Sequence, residues 1–327
     1  MMVRRCRLVQ AIGNLVTRSV PDKASPPKPL ISVCVCTYRR PGRLKELLHR
    51  LDRQTTNGLF DLSIVVVDND ARESARDVVD SLVGQLRVPI TYGVEPRQSI
   101  SLARNASVTM ATGEFVAFVD DDEEPSSNWL KMLYEVLIEY GADGVLGPVI
   151  PAFEQGAPAW ALKGQMFRRP VFKNGEVMHW ASVGIGNALV KREVLLELDG
   201  PFRLQFGAGG EDRDLLRRAM AEGRVFVWSA EAVCREHVPR ERTRVVFQLR
   251  RALLRGKVAL HGPSGGWRGI LKSAIAVPLY LVVLPVCLMM GSHVFIRHLV
   301  RIFDHLGKVL AACRIDLVGD KYLTSGN

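Results

Sequence analysis

An α/β fold with a mostly parallel sheet sandwiched by helices is what this sequence predicts, and three observations predict it. Strand-like and helix-like segments alternate from residue 30 to residue 119. The strand-like runs are almost continuously apolar, as in strands covered on both faces. Three of them end in polar clusters, Thr37-Tyr38-Arg39-Arg40, Asp68-Asn69-Asp70 and Asp120-Asp121-Asp122. Sheets of this kind bind ligands outside the carboxyl ends of their strands.

The elements follow in order. LISVCVC (30–36) is the first strand. Its Cys34 and Cys36 share one face and cannot easily bond each other. No C-x-x-C pair occurs among the six cysteines, which read as buried thiols in a reducing compartment. PGRLKELLHRLDR (41–53) has helical periodicity, with Pro41 in the first turn. LSIVVV (62–67) is a second strand, 73–86 a helix, 89–94 a strand, 99–111 a helix and EFVAFV (114–119) the fourth strand. Residues 151–180, rich in Pro, Gly, Trp and Phe, show no clear period. From residue 184, GIGNALVKREVL reads as a strand running into a helix; a helix over 213–222, a strand over 224–228 and a basic helix over 243–260 come after it. No G-x-G-x-x-G or phosphate-binding P-loop follows any strand, which argues against dinucleotide enzymes and NTPases.

The 327 residues carry a formal net charge of +10. Residues 1–29 are predicted to be a basic flexible arm with Arg4, Arg5, Arg7 and Arg18, and without a secretory signal. Residues 30–240 are expected to form the main domain, divided at about 125 into two halves, and 241–327 the C-terminal region. Within it AIAVPLYLVVLPVCLMM (274–290) is uncharged, and the run extends to about 296 if Ser292 and His293 are tolerated. That approaches the roughly 20 residues needed to span a bilayer. Three readings stand: a membrane helix, a re-entrant or interfacial segment, or a buried core helix. The basic residues gather in the arm and around 235–272, beside the apolar run, where anionic lipid or a lipid diphosphate is a more natural partner than nucleic acid.

Four constellations carry possible chemistry. FVAFVDDDEEP (115–125) delivers three aspartates to a strand end, a hard oxygen set suited to Mg²⁺ or Mn²⁺ held together with a diphosphate. Its alternative is an acidic turn or helix cap, the place assigned to Glu123 and Glu124. AGGEDRDLLRR (208–218) sets Glu211 and Asp212 at a helix start, where an ionised carboxylate can act as a general base. The alternative is a plain cap, with Asp214 paired to Arg217 and Arg218. His237, in CREHVPRERTR, is a metal-ligand candidate or a structural histidine. Arg104, on the helix before the acidic strand, clamps a phosphate, orders the acidic loop or lies on the surface.

Together ISVCVCTYRRP, IVVVDND, SLARNASVTMATGEFVAFVDDD, GIGNALVKREVL, GGEDRDLLRRA and a late Glu-His pair resemble the family-2 glycosyltransferases of the GT-A fold over about residues 30–240. CTYRRP, FVDDDE, VLGPV and GGED are similar to bacterial exopolysaccharide glucosyltransferases of the succinoglycan type. The resemblance implies an inverting transfer, usually from UDP-glucose, onto a lipid-diphosphate-linked saccharide at the cytoplasmic membrane face, with a β linkage. It implies that Thr37, Tyr38 and Arg40 meet the nucleotide, that Asp68 and Asp70 lie in the base-contacting segment, and that Arg104 stands near the donor. Asp120 and Asp121 would face the donor, with Asp120 touching ribose or sugar. Asp122 would ligate the metal with His237 as a late metal or diphosphate contact, and Asp212 would be the base with Glu211 beside it in the acceptor site. Gln248-Leu249-Arg250-Arg251-Ala252 lacks the tryptophan of the processive Q-x-x-R-W motif, which implies a single addition. The rival readings are a sugar-phosphate nucleotidyltransferase, disfavoured by the absence of a Gly-rich loop after the first strand, and a non-catalytic membrane-tethered binding protein.

Overall fold

The computed structural model describes residues 27–319, so most of the basic arm lies outside the described residues. Strands β1 (Leu30–Thr37), β2 (Asp61–Asp68), β3 (Ile90–Val94) and β4 (Phe115–Val119) pair in parallel in the order β3-β2-β1-β4. The apolar runs end where expected because both faces of the sheet are covered. On one face Ile31, Val33 and Val35 of β1 join Leu44, Leu47, Leu48 and Leu51 of helix α1 (Pro41–Asp52) in one core cluster. On the other, Cys34 packs with Ala103 and Val108 of helix α3 (Ile100–Met110), and Cys36 lies against the same cluster. The two cysteines thus share a face, and Cys34 and Cys36 are both free thiols.

Helix α2 spans only Arg76–Leu82, shorter than predicted. Residues 73–75 are taken into a turn because the Asp68 carboxylate accepts the Ala75 N–H at 2.7 Å. The apolar face of helix α4 (Trp129–Tyr140), with Leu130, Leu133 and Leu137 buried, packs into the α1 core.

The sheet continues as β4-β8-β6-β9, built from β6 (Gly144–Leu146), β8 (Asn187–Lys191) and β9 (Phe226–Trp228). β8 runs antiparallel to both neighbours, and its first residue, Asn187, lies opposite Val119 at the end of β4. Asn187 staples the region: its Oδ1 accepts from Trp129 Nε1 at 2.7 Å, and its Nδ2 donates to the carbonyls of Pro148 and Ala232. Helix α6 (Arg192–Glu197) follows β8 directly, as the strand-into-helix reading expected.

A second sheet of three strands corrects one expectation. Glu123 and Glu124 do not cap a helix: strand β5 (Glu123–Pro125) pairs antiparallel with β10 (Cys234–Val238), Glu123 opposite Glu236. β10 also pairs with β7 (Val149–Phe153). This ladder gives Glu123 and Glu124 strand backbones in place of helix-cap ones.

At the C-terminal end, helix α8 (Val245–Val258) crosses α10 (Ser292–Ala312) through two glycines. A Cβ on Gly256 would stand 2.1 Å from the Asp304 carbonyl, and one on Gly307 2.3 Å from that of Leu253. Gly256→Ala is therefore expected to lower stability by about 1–3 kcal/mol by forcing the helices apart. A denaturant midpoint measures this, and an unchanged midpoint would show that the crossing distance is not needed. Ala252 of α8, Ile296 and Val300 of α10 and Trp160 of helix α5 (Ala159–Gly164) close a separate small core.

Between them, helix α9 (Trp267–Met289) is the single helix among the described residues long and apolar enough to cross a membrane. It is not a buried core helix, since only Ser273 and Cys287 are buried. The apolar run also does not continue to 296. Gly291, at φ 117°, interrupts the helix, and α10 begins at Ser292.

Candidate active site

Three loops meet at the carboxyl ends of β1, β2 and β4. A cavity of about 60 Å³ is lined there by Thr37, Tyr38, Arg40, Asn69, Gln98 and Asp120 to Asp122, among others. Thr37 Oγ1 donates to Asp121 at 2.8 Å. Arg40 Nη1 reaches Asp121 at 2.7 Å and Asp122 at 3.1 Å. Burial pushes the carboxyl pKa of Asp121 up, and pushes that of Asp122 to about 7 with added repulsion from Asp121. Asp122 therefore needs cations nearby to stay ionised. Arg242 supplies a second, with Nη1 at 3.1 Å, and its Nη2 binds Glu236 at 2.6 Å. Burial alone would raise Glu236, but Arg169 and Arg242 hold it below the ordinary carboxylate range.

The acidic run splits by direction. Asp121 is buried and structural in its bonding, whereas the Asp120 side chain is 42% exposed. Arg104 is buried, not superficial, and bridges two loops: Nη2 donates to Asp120 at 3.1 Å and Nη1 to Glu211 at 2.6 Å. Glu211 and Asp212 open helix α7 (Glu211–Ala221). Gly209 and Gly210 precede them at φ 132° and 87°, where a side chain would be strained. Glu211, expected beside Asp212 in the acceptor site, is instead buried and turned to Arg104. Burial, with repulsion from Asp212, pushes its pKa to about 7 against the pull of Arg104. Asp212 is left partly open, next to Gly184, where a Cβ would meet its Oδ2 at 2.5 Å. Asp214 pairs with Arg217 and Arg218, both at 2.9 Å, as the helix spacing predicted.

Gly184 and Gly186 were not singled out from sequence. Gly186 lies against Asp120 as Gly184 lies against Asp212, so one loop leading into β8 touches both carboxylates. Gly184→Ala is expected to displace Asp212 and lower turnover by about a hundredfold while leaving the fold intact. Steady-state rates beside a thermal melt test this; an unaltered rate would mean that the carboxylate position is not critical.

The end of β2 is held by bonds of its own. Asp68 is fully buried and accepts from the backbone of Asp70 and Ala75 and from Tyr92. It shapes the loop. Asp70 pairs with Arg39 at 3.0 Å, and Asn69 ties the loop to the carbonyls of Glu95 and Arg97. His237 is linked to Asp122 through the backbone, its N–H donating to the Asp122 carbonyl at 2.8 Å. Strand alternation turns its ring away from Glu236. Burial and Arg43 push the pKa of that ring below the ordinary histidine value, with Glu154 and Glu124 acting against them. The structure therefore does not gather the His237 ring with the Asp122 carboxylate.

Among the described residues no group of three or more His, Cys, Asp or Glu side chains is set to hold a metal alone. The donors present nonetheless suit a hard divalent ion. They are oxygen-only, Asp122 demands positive charge, and such ions take one or two protein carboxylates and complete their shell from substrate phosphates.

The family model for glycosyl transferase family 2 matches residues 32–198. The succinoglycan biosynthesis protein ExoM of Rhizobium meliloti (strain 1021) is 36% identical over 253 residues, 75% of this chain and 81% of that protein. A validoxylamine A glucosyltransferase of Streptomyces hygroscopicus subsp. jinggangensis (strain 5008) is 36% identical over 92 residues, 28% of this chain and 22% of that protein. Among solved structures, the mannosyltransferase PcManGT of Pyrobaculum calidifontis, in complex with GDP-Man and Mn²⁺, superposes with a TM-score of 0.60 at 18% identity, covering 91% of this chain and 92% of that one. S. aureus TarS 1–349 in complex with UDP-GlcNAc gives 0.51 at 21% identity, covering 64% and 58%. These likenesses carry the GT-A fold. With the family match and the long ExoM alignment, they make this chain a member of glycosyl transferase family 2.

Proposed function

We propose that this glycosyltransferase is inverting and metal-dependent, and adds a single glucose from UDP-glucose, in β linkage, to a lipid-diphosphate-linked saccharide in exopolysaccharide biosynthesis at the cytoplasmic membrane face. The observation that carries the reading is the Arg104 bridge between Asp120 and Glu211. It ties the donor-side loop to the loop bearing Asp212, so donor and base share one cleft. The succinoglycan name of the relative supports the exopolysaccharide setting, and the nucleotide sugars held by PcManGT and TarS support the donor class.

In this reading Thr37, Tyr38, Arg40, Asn69 and Asp70 receive the nucleotide, and Asp120 faces ribose or sugar. Asp122 would hold a Mg²⁺ or Mn²⁺ ion, whose chemistry is to neutralise charge on the departing diphosphate. Arg40 and Arg242, now on the carboxylates, are placed to meet phosphate oxygens. Asp212 takes the proton from the acceptor hydroxyl as that oxygen attacks the anomeric carbon. One base suffices for inversion, whereas a retaining hydrolase uses two carboxylates.

The experiment is a donor screen with UDP-, GDP- and dTDP-sugars, with and without Mn²⁺, in the presence of membrane lipid extract, reading nucleotide release. Release from UDP-glucose with Mn²⁺ is expected. Release only from a GDP-sugar, or without metal, would overturn the donor or the metal.

A further inference from the structure

We infer that α9 lies along the membrane plane, sunk into one leaflet of an anionic bilayer beneath α10, and does not cross it. This deepens the membrane association proposed above and is independent of donor and acceptor.

The outward side of α9 is an unbroken apolar row. Ile275, Leu279, Val282, Val286 and Met289 recur at helical spacing and are all exposed, Val282 and Met289 by 77% and 82%. The inward side is committed to α10. His305 Nδ1 lies 3.0 Å from Ser273 Oγ. The Tyr280 ring packs on His305 at 5.8 Å and on His298 at 6.0 Å. Contacts that ascend α9 while descending α10 mean that the two helices run side by side and antiparallel.

α10 is in turn fixed to the body of the protein. It meets α8 at the Gly256 and Gly307 crossing, Arg255 pairs with Asp304 at 3.0 Å, and Arg297 donates to the Gly164 carbonyl at 2.7 Å. A crossing α9 would therefore either tear from α10 or drag it into the bilayer. The stretch dragged in would carry Arg297, Arg301, Asp304 and Lys308. Charges at bilayer depth are costly even on the mildest scales.

Lying flat avoids this. A helix about 10 Å across fits within one leaflet of a hydrocarbon core roughly 30 Å thick. α9 then meets acyl chains, while α10 stays at the headgroups. Exposed Arg268, Lys272 and Arg301 supply the charge that selects anionic headgroups.

The test labels cysteines introduced singly at Ile275, Val282 and Met289 with an environment-sensitive fluorophore. The full chain is used, with Cys6→Ser and Cys313→Ser, on vesicles of phosphatidylcholine and phosphatidylglycerol. Lipids bearing nitroxides at shallow and deep positions report the depth of each label. Equal depth at all three positions is expected. A steady change in depth along the helix, or quenching by an impermeant agent trapped inside the vesicle, would show a crossing helix and overturn the inference. Labels that never enter lipid would overturn it too. As a second measurement, Leu279→Asp with Val282→Asp is expected to weaken vesicle binding at least about tenfold, with the far-ultraviolet spectrum unchanged. Unaltered vesicle binding would overturn the inference. Nucleotide release from the donor in detergent is read in parallel, so failure of the membrane geometry and failure of the proposed chemistry are separable.

Discussion

Asp212→Asn is expected to lower turnover by about a thousandfold while donor affinity stays nearly constant. Asparagine keeps the shape of the side chain and the acceptor oxygen for the Arg213 N–H, which Asp212 now binds at 2.7 Å. It removes only the ability to take a proton. The pocket proposed for the nucleotide is lined by Thr37, Arg40, Asn69 and Asp120 to Asp122 and not by Asp212, so the substitution leaves its lining unchanged. Transfer rates beside displacement of a fluorescent UDP analogue make the comparison. Near-normal transfer by the variant would remove Asp212 as the base.

Arg104→Met is expected to be the most destabilising of the substitutions considered. Arg104 and Glu211 are 6% and 4% exposed, and breaking a buried pair from one side costs about 3–5 kcal/mol. That corresponds to a loss in Tm on the order of 10 °C. The loss should grow with pH. Glu211 already has a folded pKa of about 7, raised by burial above its ordinary 4.5. Stability tied to such a group is complete below its unfolded pKa and declines as pH rises through the folded one. Without Arg104 only a backbone hydrogen bond offsets burial, so the folded pKa moves further up and the penalty above pH 7 increases. Melting curves at pH 5.5 and pH 8 should diverge for the variant, and adding Glu211→Gln should recover most of the loss. A deficit equal at both pH values and unrelieved by Glu211→Gln would place its origin elsewhere.

The first half of the fold was legible because its strands are long, apolar and covered on both faces, and because Pro41 marks a helix start. The acidic run was legible as a strand end. The second sheet was not. β5 and β10 are short and pair across more than a hundred residues of chain, and no local pattern encodes such a register. For the same reason the Glu236, Arg242 and Asp122 network stayed hidden, although Arg242 stood in a run already noted for its arginines. The apolar spacing of α10 was visible from Val294 onward, but counting its first turn into the preceding run concealed it. That Arg104 orders the acidic loop was one of three readings open from sequence, but its burial with Glu211 was illegible because that contact spans more than a hundred residues of chain.

The reversed β8 gives the molecule a division of labour. The parallel half of the sheet carries the pocket lined by Thr37, Asn69 and Asp120 to Asp122 on rigid strand ends. β8 enters from the opposite direction, so the wandering chain between Phe153 and Gly186 empties into the cleft at the same rim. Both ends of that excursion are anchored, β7 by its ladder with β10 and β8 by the Asn187 staple. The excursion can therefore be rewritten while the pocket at the parallel strand ends and the register of the sheet remain as they are.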